Sequence, residues 1–449
     1  MKSNNKQARY IALEILMEVN SKERYANISL KEALKKHDLS DRDRAFVTQL
    51  VYGTLEKQIT IDYSLKKTAK IKKTNPWILN ILRLSIYQIM YLDRVPDSAA
   101  VNEAVKLCKK RGLSGLRGFV NGVLRNIVRN KDRLKLLDEN EKGKDRLALR
   151  YGYPVWLAQK WIDDYGEQKA ELIMRPPQVD KAVSIRVNTH KATSQEVRNR
   201  LAKIGITAES GFYLPEALRI KYAGDIEKND LYKKGLFTVQ GESSMLVSHI
   251  LAPSPGELIL DGCSSPGGKA IHMSELMNNR GRIDSWDIHK HRVKLIDNNV
   301  ERMGTKIVHT KLMDASVYRS EIDNKMDRVL LDVPCSGLGT INKKPDIKLR
   351  TTLGGIDELV KLQRSILHAC SRYVKPGGVL VYSTCTINPD ENQLMIKSFL
   401  HENQDFFLDD ISPYLPAGLR WAVEDNMIQT IPLRDNIDGF FIARVRKKV

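Results

Sequence analysis

Apolar residues in the first third of the chain recur with the 3.6-residue period of an α-helix. Between Ala8 and Leu16 they fall on one face of a helix. The stretch from Trp77 to Leu92 is apolar on most sides and follows Pro76, a favoured first-turn residue, which predicts the central helix of a bundle. Two further helices are predicted over 98–108 and 114–129. We therefore predict an all-helical domain over residues 1–135.

Residues 136–250 have a mixed pattern, which predicts a small α+β connector. Val183–Asn188 alternates apolar and polar side chains like a strand, and a helical stretch follows over 194–203. From residue 251 to residue 449, short apolar runs alternate with helical stretches. The predicted strands span 257–261, 281–287, 307–309, 326–332 and 378–383. This alternation predicts a doubly wound, Rossmann-like α/β domain, in which ligands bind at the carboxyl ends of parallel strands.

The charge of the 449-residue chain is strongly positive and unevenly distributed. Lysine and arginine number 73 against 54 aspartate and glutamate residues, a formal net charge of +19. The first 150 residues hold 32 basic and 17 acidic residues, so most of the surplus lies there. Such a segment suits a polyanion such as nucleic acid, although a solubilising helical surface would have the same composition.

Cysteine use and hydropathy indicate the compartment. The chain has five cysteines, an odd number without a Cys-x-x-Cys pair, which favours neither a disulfide framework nor a structural zinc site. No apolar run reaches the roughly 18 residues that a bilayer span requires, and the N-terminal residues lack the apolar core of a secretory signal. We therefore expect a cytoplasmic protein without a bound metal or membrane contact.

A glycine-rich loop follows the first predicted strand of the C-terminal domain. It reads Asp261-Gly-Cys-Ser-Ser-Pro-Gly-Gly-Lys269 and leads into a helix, so a ligand could approach its backbone N–H groups. It lacks the spacing of a nucleoside-triphosphate P-loop, and Ala270 lacks the hydroxyl that would bind magnesium. Taken alone, the glycines would equally suit a tight turn. The residues of this loop predicted to bind a cofactor are Cys263, Ser264, Ser265, Pro266, Gly267, Gly268 and Lys269.

Aspartates close the other strands of the predicted sheet. Asp287 ends the second strand, Asp314 follows the third and Asp332 ends the fourth. A carboxylate after the second strand accepts hydrogen bonds from ribose hydroxyls, and Asp314 is placed to face an adenine amino group. Because no cluster of lysine and arginine accompanies the loop, the set predicts an adenosine-type cofactor without a polyphosphate.

Two cysteines follow strands at the same predicted edge. Cys335 lies in the sequence Asp-Val-Pro-Cys-Ser-Gly, and Cys385 lies in Ser-Thr-Cys-Thr. A disulfide between them is disfavoured in a reducing cytosol, and no histidine lies near either loop in the sequence to complete a metal site. Nucleophilic chemistry by a thiol is therefore predicted. Cys108 and Cys370 lie in apolar helical stretches and are predicted to be buried as small apolar side chains.

These motifs, in this order, resemble those of S-adenosylmethionine-dependent RNA cytosine-C5 methyltransferases. The resemblance extends through Lys343-Lys-Pro-Asp-Ile-Lys348, Glu391-Asn392 and Asp438-Gly-Phe-Phe441. The first third resembles the RNA-binding NusB domain through Leu92-Asp-Arg-Val-Pro96, Ala100-Val-Asn-Glu-Ala104 and Gly118-Phe-Val-Asn121. This fusion is similar to the bacterial small-subunit ribosomal RNA cytosine-C5 methyltransferases of the Sun/Fmu type.

The resemblance implies a role for each residue at the strand edge. Cys385 would be the nucleophile that adds to carbon 6 of cytosine, and Cys335 would assist release of the product. Asp332 would hold the base near N3, and as a hydrogen-bond donor it would need a raised pKa, which burial provides. The implied cofactor is S-adenosyl-L-methionine, bound by the glycine-rich loop together with Asp287, Asp314 and Asp332.

The resemblance also implies the substrate, 16S ribosomal RNA in an unassembled or early-assembly state, methylated by a monomer. The basic N-terminal domain would bind RNA phosphates, and Arg186 and Asn188 of the connector are expected to add contacts. Three alternatives remain: a transfer-RNA cytosine-C5 methyltransferase, a non-catalytic RNA-binding assembly factor, and an enzyme that methylates a protein or small molecule. The pair of cysteines disfavours the second alternative, and the basic domain disfavours the third.

Overall fold

The computed structural model describes most of the chain, namely residues 5–69, 71, 73–135, 141–176, 182–222 and 224–449. The chain divides into two compact units. The first unit extends through Pro176 and takes in Ile341–Arg350, and the second unit contains the remaining residues. The helical domain predicted over residues 1–135 lies within the first unit, whose described helices continue into the predicted connector as far as Met174. Among the described residues, no helix is both long and apolar enough to cross a membrane.

The described residues of the first unit form helices, as the apolar period predicts. They are α1 (Asn5–Ser21), α2 (Ala26–Lys36), α3 (Asp41–Glu56), α4 (Gln58–Thr68), α5 (Pro76–Tyr91), α6 (Asp97–Lys110), α7 (Arg117–Arg129), α8 (Lys131–Lys135), α9 (Gly143–Tyr151), α10 (Val155–Tyr165) and α11 (Glu167–Met174). Helix α5 has buried residues on most of its circumference and packs against α1, α3, α4, α6 and α7. It is therefore the central helix of the bundle, as its apolar sequence predicts.

A segment from the second half of the sequence completes the helical unit. Ile341–Arg350, which ends in the short helix α17 (Ile347–Arg350), contributes two buried charged side chains. Asp346 Oδ2 accepts a hydrogen bond from the backbone N–H of Ala26 at 3.1 Å. Lys348 Nζ donates to the Glu56 carbonyl at 2.9 Å, and burial lowers the pKa of Lys348 to about 7. The Lys343–Lys348 motif thus binds to helices that precede it by some 300 residues.

We expect Asp346→Ala to destabilise the helical unit by about 1–2 kcal/mol. The Asp346 side chain is 2% exposed and satisfies the first N–H of α2, while the side chain of Tyr25, before the helix, makes no capping hydrogen bond. Urea unfolding followed by far-ultraviolet circular dichroism measures the change. Asp346→Asn keeps an acceptor oxygen and should lose less stability. An unfolding midpoint unchanged by Asp346→Ala would show that α2 does not depend on this contact.

The second unit begins with a four-stranded antiparallel sheet in the order β2-β3-β1-β4. Its strands are β1 (Val183–Val187), β2 (Thr207–Ser210), β3 (Ala217–Lys221) and β4 (Phe237–Val239). Two helices accompany it, α12 (Ser194–Lys203) and α13 (Asp230–Lys233). Helix α12 has the predicted bounds because Thr193 and Glu196 form a capping box at its start. This part of the chain is therefore the predicted α+β connector.

A doubly wound sheet of nine strands forms the rest of the second unit. Its order is β11-β12-β13-β9-β8-β5-β6-β7, and β10 pairs with β13. The parallel strands are β5 (Leu258–Asp261), β6 (Arg282–Asp287), β7 (Val308–Leu312), β8 (Met326–Asp332) and β9 (Val374–Thr384). The antiparallel strands are β10 (Phe406–Leu408), β11 (Val423–Glu424), β12 (Met427–Thr430) and β13 (Phe440–Lys447). The remaining helices are α14 (Glu242–Leu251), α15 (Gly268–Leu276), α16 (Lys290–Met303), α18 (Leu353–Ser371), α19 (Gln393–Glu402) and α20 (Pro432–Asp435).

Strand β5 is the point at which the winding of the sheet reverses. Strands β6 and β7 extend the sheet on one side of β5, and β8 and β9 extend it on the other. Ligands of such sheets bind outside the carboxyl ends of the strands at this point. Asp332, the last residue of β8, is in register with Ser383 of β9. The loops that follow β5, β8 and β9 therefore emerge side by side.

Candidate active site

The glycine-rich loop folds against the carboxyl ends of β5 and β6. The backbone N–H of Ser264 donates to the Trp286 carbonyl at 2.9 Å, and that of Gly267 donates to the Ser264 carbonyl at 2.7 Å. Gly267 has a φ of 93°, and a Cβ at this position would lie 2.9 Å from Ile296 Cγ2. Only glycine fits here without strain. Helix α15 begins at Gly268, so its amino end lies at the loop, where an anionic group is favoured.

The surroundings of Asp261, the first residue of the glycine-rich loop, show whether the loop could hold a ligand. Its side chain is buried, and within the described residues neither carboxylate oxygen has a partner in good hydrogen-bond geometry, although the Ser264 side chain and the Cys263 backbone lie near it. Burial raises the pKa of Asp261 to about 7. A buried carboxyl group without partners is unfavourable in isolation, so a ligand with hydrogen-bond donors would stabilise it. The residues present therefore fit a cofactor that carries hydroxyl or amino groups.

The two other predicted cofactor carboxylates lie at neighbouring strand ends. Asp287 is buried at the end of β6 and accepts the backbone N–H of His289 at 2.9 Å. Asp314, two residues after β7, accepts the N–H and hydroxyl of Ser316 at 2.9 and 2.6 Å through one oxygen. These bonds fix the orientation of both carboxylates. Their binding of an adenosine cofactor stays a prediction.

The two strand-edge thiols meet in the structure. Cys335 Sγ, in the loop after β8, lies 3.3 Å from Cys385 Sγ, in the loop after β9. The hydrogen bond to Cys385 and burial raise the pKa of Cys335 well above its ordinary value. Cys335 therefore holds its proton more tightly than a free thiol does, and the two sulfur atoms lie within hydrogen-bond distance of each other. Cys108 and Cys370 are buried in apolar surroundings, as predicted.

Asp332 joins the glycine-rich loop to the loops that carry Cys335 and Cys385. Its Oδ2 lies 2.6 Å from Lys269 Nζ, and its Oδ1 accepts the hydroxyl of Ser383 at 2.9 Å. The Asp332 side chain is 28% exposed. The structure thus places Asp332 in an ion pair with Lys269, whereas the resemblance implies a buried carboxyl group that donates a hydrogen bond.

Glu391 holds the loop that carries Cys335. The carboxylate is buried and accepts the backbone N–H of Ser336 at 2.8 Å and its hydroxyl at 2.5 Å. Gln363 and Asn388 donate their amide groups to the same carboxylate at 3.0 and 3.1 Å. Because Ser336 directly follows Cys335, these bonds restrict where the Cys335 thiol lies.

Asn392 holds the loop that carries Cys385. Its amide oxygen accepts the hydroxyl of Thr384 at 2.6 Å, and its amide nitrogen donates to the Thr386 carbonyl at 3.0 Å. Thr384 and Thr386 flank Cys385 on both sides. The consecutive residues Glu391 and Asn392 thus fix the two thiols relative to each other, a geometry that the sequence did not reveal.

Arg186 and Asn188 do not lie at an RNA-accessible surface. Arg186 is buried and forms an ion pair with Glu275, which is also buried. Asn188 is buried and donates to the carbonyls of Gly235 and Met303 at 3.1 and 2.9 Å. Both side chains are used inside the protein, so the prediction that they contact RNA is wrong. Their polar character reflects packing of the connector against the doubly wound sheet.

Three segments of the chain match known families. Residues 6–129 match the NusB family, and residues 153–227 match the ferredoxin-like domain of RsmF/B-like methyltransferases. Residues 248–446 match the 16S rRNA methyltransferase RsmB/F family. Together with the doubly wound sheet and the cofactor loop, these matches define an S-adenosylmethionine-dependent methyltransferase with an N-terminal NusB-like domain.

Relatives that span the whole chain give the particular family. The chain is 41% identical over 443 residues to the probable ribosomal RNA small subunit methyltransferase B of Bacillus subtilis (strain 168), covering 98% of each. It is 32% identical over 451 residues to the ribosomal RNA small subunit methyltransferase B of Shewanella oneidensis, covering 98% of this chain and 99% of that one. The crystal structure of PH0851 has a TM-score of 0.84 and 30% identity, covering 100% of both chains. The chain belongs to the ribosomal RNA small subunit methyltransferase B family, which confirms the predicted fold class and cofactor.

Proposed function

We propose that the protein methylates carbon 5 of a cytosine in 16S ribosomal RNA through a covalent bond between Cys385 and carbon 6. The observation that carries this proposal is the 3.3 Å separation of the Cys335 and Cys385 sulfur atoms, beside the cofactor loop. Two thiols in contact suit a reaction in which one sulfur–carbon bond forms and is later broken. The names of the relatives support small-subunit ribosomal RNA as the substrate.

Cys385 starts the reaction because carbon 5 of cytosine is too weak a nucleophile to take a methyl group unaided. The Cys385 thiolate forms a bond to carbon 6, the carbon 5–carbon 6 π pair shifts to form a carbon 4–carbon 5 double bond, and the carbon 4–nitrogen 3 π pair becomes a lone pair on nitrogen 3. The resulting enamine is nucleophilic at carbon 5. S-Adenosylmethionine, when bound, supplies an electrophilic methyl group. The thiol proton of Cys385 leaves before attack, which the hydrogen bond from Cys335 assists.

The Lys269–Asp332 pair stabilises the charge that the addition places on the ring. The ion pair supplies a carboxylate that accepts hydrogen bonds from the base and an ammonium group that offsets negative charge. Ser383 fixes the carboxylate from the neighbouring strand. Asp332 thus contacts the cytosine, and Lys269 provides the positive charge that offsets the negative charge on the ring.

Cys335 completes the reaction by removing the proton from carbon 5 of the methylated adduct. The contact with Cys385 is one of the causes that raise the pKa of Cys335, together with burial. Bonding of Cys385 to carbon removes that contribution, and Cys335 transfers its proton to water before it acts as the base. The Cys335 thiolate then accepts the proton of carbon 5. The ring double bond re-forms as the bond between carbon 6 and the sulfur of Cys385 breaks.

Methyl transfer to defined RNAs tests the proposed function. The purified protein is incubated with S-adenosylmethionine and either protein-free 16S ribosomal RNA or transfer RNA, and the nucleosides are analysed by mass spectrometry. We expect 5-methylcytidine in the ribosomal RNA. Methylation of transfer RNA alone would establish the transfer-RNA alternative, and methylation of neither RNA would contradict the proposal.

We expect Glu391→Ala to slow methyl transfer about 10²-fold, because the Cys335 loop loses its buried acceptor. The dissociation constant of S-adenosylmethionine, measured by calorimetry, should stay near that of the wild type. Glu391→Gln retains one acceptor oxygen and should be the less affected variant. A wild-type rate in Glu391→Ala would show that the carboxylate does not position the thiol.

A further inference from the structure

A strip of exposed aromatic side chains with stacked arginines lies on the surface of the second unit. Phe212 is 45% exposed and Trp421 is 61% exposed. Arg219 Cζ lies 4.1 Å from the centroid of the Phe212 ring, and Arg434 Cζ lies 4.7 Å from the centroid of a Trp421 ring. Single exposed apolar side chains are common on soluble proteins. Two exposed rings that each hold a guanidinium group suggest a more specific role.

Tyr213 connects the two exposed rings into one surface. Its ring centroid lies 6.4 Å from that of Phe212. Gly418 lies against the Tyr213 ring, since a Cβ at Gly418 would lie 3.3 Å from a carbon of that ring. The Gly418 carbonyl in turn accepts the indole N–H of Trp421 at 2.9 Å. Phe212, Tyr213 and Trp421 thus form a continuous surface, here called the aromatic strip.

The backbone beneath the aromatic strip is fixed by buried acids. Glu242 is buried, and its carboxylate accepts the backbone N–H groups of residues 212–214 at 2.7, 2.8 and 3.1 Å. At the other end of the strip, Arg434 is held by the buried carboxylate of Asp435 at 2.8 Å. Rings held in place before binding lose little conformational entropy when a partner stacks on them. The strip is therefore preorganised for a planar ligand.

A short series of backbone contacts links the aromatic strip to Cys385. The backbone N–H of Gly339 donates to the Cys385 carbonyl at 3.1 Å, and that of Gly439 donates to the Gly339 carbonyl at 3.0 Å. Asp438, the neighbour of Gly439, lies beside Gly241, where a Cβ would lie 2.9 Å from Asp438 Oδ2. Gly241 directly precedes Glu242, which holds the strip. The strip and the loop that carries Cys385 are therefore connected through these segments of the second unit.

We propose that the aromatic strip binds unpaired nucleotides flanking the target cytosine, with bases stacked on Phe212 and Trp421. This inference rests on the proposed function. A base that reaches a thiol must leave its stack, so the neighbouring nucleotides are also unpaired and need new stacking partners. Aromatic rings provide these for any base, and Arg219 and Arg434, which are ion-paired with Glu209 and Asp435, add planar guanidinium groups beside the rings. A purely apolar peptide would gain nothing from the guanidinium groups.

The test compares the double variant Phe212→Ala/Trp421→Ala with Phe407→Ala, which removes a similarly exposed ring (42%) on β10. With protein-free 16S ribosomal RNA as substrate, we expect the double variant to raise KM for RNA about tenfold or more. Its kcat at saturating RNA and its dissociation constant for S-adenosylmethionine should not change. Phe407→Ala should match the wild type. The conservative double variant Phe212→Tyr/Trp421→Phe should have a KM for RNA near that of the wild type.

The possible outcomes separate this inference from the proposed function. A wild-type enzyme that forms no 5-methylcytidine would refute the proposed function itself. An active wild type together with an unchanged KM in the double variant would overturn only the role of the strip. A defect seen only with RNA that carries ribosomal proteins would assign the strip to a protein partner and also overturn the inference. If the double variant lost cofactor binding, the single variant Trp421→Ala would replace it, because Trp421 is the more exposed ring. Its KM for RNA should then be raised, and an unchanged KM would overturn the role of the strip.

Discussion

Cys385→Ser is expected to abolish methylation of ribosomal RNA, with a fall in kcat of about 10⁴-fold or more. The proposed reaction requires a nucleophile at carbon 6, and a serine hydroxyl at neutral pH is far less nucleophilic than a thiolate. The substitution replaces one atom in a loop whose backbone is fixed by Asn392. The fold and the affinity for S-adenosylmethionine should therefore remain those of the wild type. Single-turnover incorporation of a labelled methyl group measures the loss.

A matched control for this substitution is Cys370→Ser. Cys370 is a buried thiol on α18 whose Sγ lies 3.3 Å from the Ala315 carbonyl, which a serine hydroxyl at this position would also reach. Methyl transfer by Cys370→Ser should stay within a few-fold of the wild type. If Cys385→Ser also retained near wild-type activity, covalent catalysis by Cys385 would be excluded.

Cys335→Ala is expected to accumulate a covalent complex of protein and methylated RNA. The variant keeps the nucleophile but lacks the base that removes the proton of carbon 5, so the sulfur–carbon bond cannot be broken at the normal rate. Denaturing electrophoresis of reactions with labelled RNA should show a slow-migrating band that depends on S-adenosylmethionine. Multiple-turnover methylation should fall in parallel.

The double variant Cys335→Ala/Cys385→Ser distinguishes this explanation from nonspecific attachment. It should yield no covalent band, because the nucleophile is absent. A band that persists in the double variant would mean that another residue reacts with the RNA. Absence of a band in Cys335→Ala, with methylation at the wild-type rate, would show that Cys335 has no part in product release.

Local patterns in the sequence were sufficient to predict most of the helices and parallel strands. Helix α12 was predicted with its observed bounds as a helical stretch, and β8 was predicted with its observed bounds because an apolar run ends at Asp332. The five parallel strands and the sheet edge that collects the cofactor loop followed from the alternation of strands and helices. The cysteine pair was anticipated because both thiols directly follow strands of one sheet.

Long-range packing explains what the sequence did not reveal. Helix α14 was missed because it is buried on most sides and lacks a polar face. The antiparallel strands β10–β13 were missed, since the alternation of strands and helices stops before them. Arg186 was predicted to contact RNA because no acidic partner is evident near it in the sequence. Its partner Glu275 lies 89 residues away.

The position of Ile341–Arg350 also depends on distant partners. Asp346 and Lys348 bind the backbone of Ala26 and Glu56, which no local pattern indicates. One consequence concerns experiments on RNA affinity. A truncation that removes residues 1–135 would remove Ala26 and Glu56, to which these two buried charges bind, so loss of function in that fragment would not report RNA binding alone.

Release of the hydrogen of carbon 5 tests covalent methylation at this atom most directly. Ribosomal RNA is transcribed with tritium at carbon 5 of cytosine and methylated with S-adenosylmethionine that carries a carbon-14 methyl group. The account predicts one tritium released to water for each methyl group incorporated, and neither event with Cys385→Ser. Incorporation of methyl groups into the RNA while the tritium is retained would place the methylation elsewhere on the nucleotide and contradict the account.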